Sequence, residues 1–218
     1  MKKNKKTNLI IIAMILITTI YVLIVYNKMP NQIPTHWNYE GEIDGYGSRS
    51  NLYIFILTMI GINLLLLVVK KIDPKSANYE KFDKSFQIFR IFMTAFFMVL
   101  VFATIQITLN PNSFDMGLLV PIMIGLLFIV IGNYMPKFKH NYTMGIKTPW
   151  TLASESCWDK THRFAGPIWV VGGLMFIIFP FILNDKMFIY AFGFLIGIMV
   201  LVPTIYSYLV FKNEEDKN

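Results

Sequence analysis

The chain has 218 residues, of which 55% are hydrophobic, 16% aromatic and only 15% charged. This balance excludes an ordinary soluble domain and favours a membrane protein. The net charge of +7 is spread along several loops instead of one patch, which disfavours nucleic-acid binding.

Six long apolar runs follow one another along the chain. They cover residues 8–26, 52–69, 88–109, 116–132, 168–183 and 187–211. Each approaches the length of about 20 residues that a membrane-spanning helix needs. The first run is too long for the apolar core of a signal peptide, and no cleavage site follows it, so we expect a retained helix. The sequence therefore predicts an all-α integral membrane protein with six transmembrane helices.

The distribution of Lys and Arg predicts how these spans are oriented. Cytoplasmic loops of membrane proteins carry an excess of basic residues. The first, third and fifth loops hold only Lys28, Arg49 and Lys186. We therefore expect both termini and the second and fourth loops in the cytoplasm. The basic residues on that side are Lys2, Lys3, Lys5, Lys6, Lys70, Lys71, Lys75, Lys81, Lys84, Lys137, Lys139, Lys147, Lys160, Arg163, Lys212 and Lys217.

The first loop, residues 27–51, is expected on the outer face. Pro30 and Pro34 favour extended backbone before them, and the glycines after them permit tight turns. Its acidic and aromatic residues allow three interpretations: an anchor in the headgroups, a recognition surface for an extracellular peptide, or a metal site of His36 with nearby carboxylates. The candidate recognition residues are His36, Trp37, Tyr39, Glu40, Glu42, Asp44 and Tyr46.

Few polar side chains lie within the spans. Asn63 and Gln106 lie at depth, where each can bridge neighbouring helices. Arg90 lies near the cytoplasmic end of the third span, and its long side chain is expected to reach the headgroups. Coupled transporters usually need buried Asp, Glu or His, and the six runs contain none.

The fourth loop, residues 133–167, should contain a short interfacial helix. Thr151 or Ser154 can cap its start, and Gly166-Pro167 is expected to end it before the fifth span. One side of this helix would place a tryptophan among the headgroups. That side comprises Trp158, Thr161, His162 and Ala165.

Three titratable residues of this helix have a spacing that could bring them together. Glu155, Asp159 and His162 follow one another at i, i+4 and i+7, which would suit a metal or proton-transfer site. The alternative is structural, with Asp159 paired to Arg163 and Glu155 at the positive end of the helix. Cys157 is the only cysteine, and no HExxH, Walker A, GxSxG or CxxC pattern occurs. No catalytic residue, metal or cofactor is predicted.

The fourth loop carries the runs GNYMP (132–136), NY (141–142) and GIKTPWTL (145–152), then Trp158, Thr161-His162-Arg163 and Gly166. This pattern resembles the SdpI family of bacterial membrane proteins. The outer stretch PTHWN (34–38), with Gly41 and DGYG (44–47), resembles the small domain of unknown function that often forms their amino-terminal part. Two positions depart from the family pattern, since Lys147 replaces an expected arginine and Cys157 an expected aliphatic residue.

The resemblance implies a multi-pass protein of the bacterial cell membrane that gives immunity to a secreted membrane-active peptide toxin, or bacteriocin. It also implies signalling, in which the protein recruits a cytoplasmic transcriptional repressor. The expected partners are the toxin outside, the repressor inside and the bilayer, with no direct nucleic acid. The alternative function is a transporter or exporter of a small lipophilic or peptide substrate. The candidate docking residues inside are Asn141, Tyr142, Lys147, Thr148, Pro149, Trp150, Thr151, Glu155, Trp158, Asp159, Thr161, His162 and Arg163.

The expected domain organisation has three parts. Residues 1–70 form a two-helix unit with the outward loop 27–51. Residues 71–116 comprise a cytoplasmic basic loop and the third helix. Residues 117–218 form an SdpI-like three-helix unit that contains the inward motif loop 133–167.

Overall fold

The computed structural model describes residues 4–111 and 113–217. Within them, six helices are long and apolar enough to cross a membrane, which confirms the predicted number of spans. Lys2 and Lys3, which count toward the predicted orientation, lie outside the described residues. The long helices are α1 (Lys5–Val25), α2 (Asn51–Ile72), α3 (Asp83–Leu109), α4 (Met116–Tyr134), α6 (Glu155–Ile182) and α7 (Asp185–Glu215), and a short helix, α5 (Pro149–Ala153), precedes α6.

The chain forms two compact units. Among the described residues, the first unit comprises 4–67, 87–111 and 113–120, and the second comprises 68–86 and 121–217. Each unit therefore takes residues from two separate stretches of sequence. The three-part domain organisation expected from the sequence stays a prediction.

The first loop contains a β-hairpin, so the expectation of an all-α fold needs correction. Strands β1 (Gln32–Trp37) and β2 (Ile43–Ser48) pair antiparallel, with two irregularities in register within β1. Pro34 is tolerated because a two-stranded sheet has only edge strands. The sequence did not indicate this strand pair, because the strands are short, glycine-rich and irregular and lie between long helical runs.

The hairpin packs against the helices of the first unit at both of its ends. At its base, Ile33 lies in an apolar cluster with residues of α1, α2 and α3. Near its turn, Trp37 and Ile43 pack against a second cluster at the end of α3 and the start of α4. Gly41 has φ +79 and lies so close to the Gly117 backbone that a Cβ there would clash. The loop is thus fixed to the helices.

Polar side chains link the helices of the first unit. Asn63 Nδ2 donates to Thr94 Oγ1 at 2.8 Å, and Gln106 Nε2 donates to the Tyr21 hydroxyl at 2.8 Å, which confirms that both residues bridge helices. Arg90 differs from expectation. It is only 3% exposed and donates to Asn8 Oδ1 at 3.1 Å, because the start of α1 packs over it.

Two glycine pairs bring α4 and α6 into close contact in the second unit. A Cβ on Gly132 would lie 2.7 Å from the Gly166 carbonyl oxygen, and Gly125 meets Gly173 in the same way. The expected helix end at Gly166-Pro167 is wrong, because α6 continues through both residues to Ile182. Gly166 serves close helix packing, and Pro167 removes only one helical hydrogen bond. The predicted separate interfacial helix is therefore joined to the fifth span.

We expect Gly132→Ala to lower the melting temperature of the detergent-solubilised protein. The new methyl group would meet backbone atoms that cannot move aside, and such overpacking costs roughly 1–3 kcal/mol. Gly197→Ala is the matched control, because a Cβ on this glycine of α7 would have nothing within 4 Å. Equal melting temperatures for the two variants would contradict the close α4–α6 packing.

Candidate functional site

Asp73, the residue after α2, lies at the centre of a buried polar network in the second unit. Its Oδ2 accepts hydrogen bonds from the Tyr79 hydroxyl at 3.0 Å, the Thr143 hydroxyl at 2.9 Å and the Tyr142 backbone N–H at 3.0 Å. Its Oδ1 accepts from the Lys75 backbone N–H at 2.8 Å. One carboxylate thus holds the second loop and the motif of the fourth loop together.

These contacts change the acidity of both partners. Burial raises the pKa of Asp73, but hydrogen bonds from the Lys75 backbone, Thr143, the Tyr142 backbone and Tyr79 outweigh it, so the pKa lies below its ordinary value of 3.8. Burial, together with the neighbouring Asp73 carboxylate, raises the pKa of Tyr79 to about 12. At neutral pH the pair is therefore a carboxylate beside a neutral phenol.

Asn141 shapes the backbone of the motif. It is fully buried, and its Oδ1 accepts from the backbone N–H groups of Thr143 at 2.8 Å and Met144 at 2.6 Å. Its Nδ2 donates to the carbonyl oxygens of Lys139 at 2.8 Å and Met144 at 3.0 Å. An amide side chain can do both, because it carries an acceptor and two donors. Asn141 therefore satisfies irregular backbone that has no helical partners.

His162 ties this backbone to α6. Its ring Nε2 accepts the Ile146 backbone N–H at 2.9 Å, and its Nδ1 lies 2.8 Å from the Trp158 carbonyl oxygen. The two bonds require a neutral ring with the proton on Nδ1. Gly145 has φ +114, and a side chain there would run into the His162 ring. His162 is thus fully buried and acts as a structural contact.

Trp158 is buried in the same place, so its predicted position in the headgroups is wrong. Its Nε1–H donates to the Phe138 carbonyl oxygen at 2.8 Å, and its ring stacks on His162 with the centroids 4.1 Å apart. Thr161 and Ala165, on the same side of the helix, are also fully buried. This side of α6 packs against the protein because the fourth loop folds over it.

Glu155, Asp159 and His162 do not converge. Asp159 pairs with Lys139 at 3.0 Å instead of Arg163, and Glu155 pairs with Lys75 at 3.3 Å. Among the described residues, no group of three or more His, Cys, Asp or Glu side chains could hold a metal ion. The metal interpretation of His36 therefore gains no support, since its Nδ1 has only Asp44 Oδ1 beside it, at 2.5 Å.

Three hydroxyls cap the helices of the motif. Thr148 and Thr151 form a reciprocal capping box at the start of α5, and Ser154 caps α6 by accepting the Cys157 backbone N–H at 3.1 Å. The end of α7 joins them, because Glu214 accepts from Ser154 at 2.9 Å. Glu214 has two further donors, Ser156 and Lys160.

The candidate docking residues divide into two groups by exposure. Tyr142, Pro149, Lys147, Glu155 and Arg163 are exposed, and Trp150 and Asp159 are half-buried. Lys147, at the position where arginine was expected, donates to the carbonyl oxygen of Thr143 at 3.0 Å. The buried group builds the loop and cannot present a surface. It comprises Asn141, Thr148, Thr151, Trp158, Thr161 and His162.

Sequence reasoning missed four residues that complete this site. Three of them, Asp73, Asn78 and Tyr79, come from the second loop, where the sequence analysis considered only the basic residues. Asn78 Nδ2 donates to the carbonyl oxygen of the fourth, His140, at 2.8 Å. The His140 ring is buried, with Nδ1 3.7 Å from Glu155 Oε1. A carboxylate that directly follows the end of a membrane span is the one signal that could have identified Asp73.

The candidate residues of the outer loop also divide into two groups. His36, Asp44 and Tyr46 are exposed on paired strands, with Tyr39 and Glu40 exposed at the turn. We call these five residues the outer face. Trp37 instead packs inward. Glu42 is also exposed, and its backbone N–H and that of Glu40 both donate to Asn38 Oδ1 at 2.9 Å in the turn.

Comparisons with known proteins find a match that contains the hairpin and another that contains most of the fourth-loop motif. Residues 137–207 match the SdpI/YfhL protein family, and residues 13–62 match a domain of unknown function, DUF1648. The resemblance to the SdpI family is confirmed. The chain is also 24% identical over 211 residues to the Immunity protein SdpI of Bacillus subtilis strain 168, with 95% of this chain and 97% of that protein covered. No solved structure matches the chain significantly.

Each matched region extends beyond the structured loop residues that it contains. The SdpI/YfhL match begins at Lys137 and ends at Ser207, so it includes the motif from Asn141 to Gly166 and leaves out the GNYMP run at 132–136. The DUF1648 match includes the whole hairpin. With six candidate spans and this relationship, the protein is a multi-pass membrane protein of bacteria.

We expect Asp73→Asn to destabilise the protein. The side-chain NH₂ group would replace one of the two carboxylate oxygens and would face hydrogen-bond donors that this oxygen now accepts from. Each buried donor left unsatisfied costs roughly 1–3 kcal/mol. Thermal unfolding in detergent at neutral pH measures the loss. Asp159→Asn is the control, since its exposed pair with Lys139 should contribute at most about 1 kcal/mol.

The effect of Asp73→Asn should also depend on pH. Because the folded-state pKa of Asp73 is depressed, its stabilisation is present above the unfolded-state pKa and is lost as the pH falls through the folded-state pKa. The difference in melting temperature between wild type and variant should therefore shrink below the ordinary value of 3.8. A difference that grows with acidification would contradict the charged, hydrogen-bonded state.

Proposed function

We propose that this chain is a membrane immunity protein that gives its bacterium resistance to a secreted membrane-active peptide toxin. The observation that carries the proposal is the similarity to the Immunity protein SdpI over 95% of this chain and 97% of that protein. Because this similarity runs nearly end to end, it includes the hairpin, the spans and the motif loop. It favours immunity over the alternative of a transporter or exporter.

The outer face is the proposed recognition surface. The side chains of His36, Asp44 and Tyr46 project from a hairpin that is held at its base and near its turn. A rigid surface loses little conformational entropy when a partner binds, which favours affinity. Tyr46 is 62% exposed and offers apolar area with a hydroxyl, while Glu40 and Asp44 offer negative charge. This chemistry suits a peptide that is cationic or amphiphilic.

The proposed activity is binding and involves no catalysis. The polar side chains of the inner site that could serve chemistry are used in structural hydrogen bonds, as with Asp73 and His162. The titratable residues of the motif form separate pairs, Asp159 with Lys139 and Glu155 with Lys75. Protection would then arise when the toxin is held at the outer face and kept from acting on the bilayer.

We further propose that both termini are cytoplasmic and that the exposed part of the motif binds a cytoplasmic repressor. The charge distribution of the sequence supports the orientation. The exposed residues Tyr142, Lys147 and Arg163 support the docking surface, since Tyr142 and Lys147 lie on the loop that Asn141 hydrogen-bonds from within and Arg163 lies on α6. Tyrosine and arginine are enriched in protein interfaces, which applies to Tyr142 and Arg163.

Expression in a sensitive bacterium tests immunity. We expect the wild-type chain to protect cells against the killing peptide associated with the SdpI family. In cells with the triple variant His36→Ala, Asp44→Asn, Tyr46→Ala, the highest toxin concentration that cells survive should fall about tenfold or more. The reason is that a loss of about 1.4 kcal/mol in binding free energy corresponds to a tenfold loss in affinity. Survival at graded toxin concentrations, with membrane levels of each variant measured, is the readout.

Ser48→Ala is the matched control, because Ser48 is exposed on the same strand beyond Tyr46. It should protect as well as the wild type. Full protection by the triple variant would show that recognition lies elsewhere on the protein. Killing of cells that contain well-folded wild-type protein at normal levels would contradict the immunity proposal for this peptide.

Cysteine labelling tests the orientation that the docking surface requires. Cys157 is the only cysteine in the sequence, so a Cys157→Ser background leaves no native thiol. In intact cells, a membrane-impermeant maleimide should label Tyr46→Cys and spare Lys147→Cys, which should react only after the membrane is opened. Ser156→Cys provides a second exposed position in the same loop. Labelling of Lys147→Cys and Ser156→Cys from outside would exclude the repressor proposal.

A further inference from the structure

A cavity of about 410 Å³ opens within the first unit between α1 and α2. Its volume lies in the range of roughly 300–1,000 Å³ that is usual for small-molecule sites. Most of its wall is aliphatic, with Asn8, Asn63 and Arg90 as the polar residues in the lining. The aliphatic lining residues are Ile11, Ile12, Ile15, Leu16, Ile60, Leu64 and Leu67.

The polar groups of the cavity are grouped together. Arg90 donates to Asn8 Oδ1 at 3.1 Å and to Gln87 Oε1 at 2.8 Å, and both acceptors are neutral amides. Asn63 donates to Thr94, whose hydroxyl donates in turn to the Arg90 carbonyl oxygen at 2.9 Å. The guanidinium is therefore held in place by α1 and α3, at one end of an aliphatic cavity.

Basic residues lie at and near this polar end. Arg90 is the only charged residue in the described lining of the cavity, and Lys5 and Lys6 are exposed in the first turn of α1, less than one turn before Asn8. Within the described residues, Asn63 Oδ1 is a buried acceptor that receives no hydrogen bond. A buried amide oxygen of this kind normally has a partner, such as a water or a ligand donor.

We propose that this cavity binds one anionic phospholipid, with an acyl chain along the aliphatic wall and the phosphate at Arg90. The depth is suitable, since Asn8 lies in the first turn of α1 and Arg90 about two turns from the start of α3, within reach of the headgroup zone. Basic pockets between helices are known to bind anionic headgroups. Arginine suits a phosphate because its planar fork donates two parallel hydrogen bonds.

This site is separate from the proposed recognition of a toxin. None of the outer-face residues lines the cavity. A lipid held here would couple α1, α2 and α3, the helices that carry the apolar cluster at the hairpin base. It would therefore stabilise the first unit, because a ligand that binds only the folded state raises the free energy of unfolding.

The test uses the full chain purified in detergent and supplied with equimolar phosphatidylglycerol and phosphatidylcholine of identical acyl chains. Native mass spectrometry should show one retained lipid per chain, with a roughly fivefold preference for phosphatidylglycerol. This is the contribution expected from one basic residue near an anionic headgroup, because the choline cation of phosphatidylcholine neutralises the phosphate of that lipid. The melting temperature should rise more with phosphatidylglycerol than with phosphatidylcholine.

Two variants separate the headgroup from the acyl chain. Leu64→Trp fills the cavity wall and should abolish lipid retention, whereas Leu57→Trp, on the same helix outside the cavity, should not. Leu64 and Leu57 are similarly exposed at 58% and 64%, which makes them a matched pair. Arg90→Gln should remove the preference for phosphatidylglycerol, and Arg90→Lys should restore part of it.

Two results would overturn the proposal. Equal retention of both lipids by the wild type would mean an apolar groove that accepts any acyl chain. Retention that survives Leu64→Trp as well as Leu57→Trp would place the lipid elsewhere on the surface. Each variant's melting temperature without added lipid shows whether it folds, and a folded Leu64→Trp variant makes the comparison decisive even if Arg90→Gln fails to fold.

Discussion

The structure of the fourth loop depends on one constraint, which is that buried irregular backbone must have its hydrogen bonds satisfied from within the protein. Asn141, Asp73 and His162 provide those bonds. Asn141 pairs with backbone N–H and C=O groups, Asp73 accepts from the second and fourth loops, and His162 accepts the Ile146 N–H. The exposed side chains of this loop are held in position because these three side chains are buried beneath them.

The same reasoning explains why the buried part of the SdpI-like motif cannot be a docking surface. Some motif residues hold the loop in its conformation, and Thr148, Thr151 and Trp158 do so through hydrogen bonds to the backbone. What remains for a partner is a smaller set of exposed residues, notably Tyr142, Lys147 and Arg163. The outer hairpin follows this division too, with Trp37 packed inward and Tyr46 facing outward.

The close approach of α4 and α6 has a related physical origin. Helices in a bilayer gain little from apolar burial, so their association depends on close packing and on interhelical hydrogen bonds. Gly132 and Gly166 allow the backbones to meet, and the resulting helix continues through Pro167 into the motif. The fifth span and the last part of the motif, from Glu155 to Gly166, therefore form one helix.

The sequence by itself determined the class of protein, the number of spans and the positions of both functional loops, because hydropathy, length and helix caps are local properties. It also identified Asn63 and Gln106 as bridges between helices. Only the tertiary structure decided which residues face solvent. Burial of Trp158 and Arg90 and the role of Asp73 depend on segments distant in sequence, and no local pattern indicates which of these segments meet.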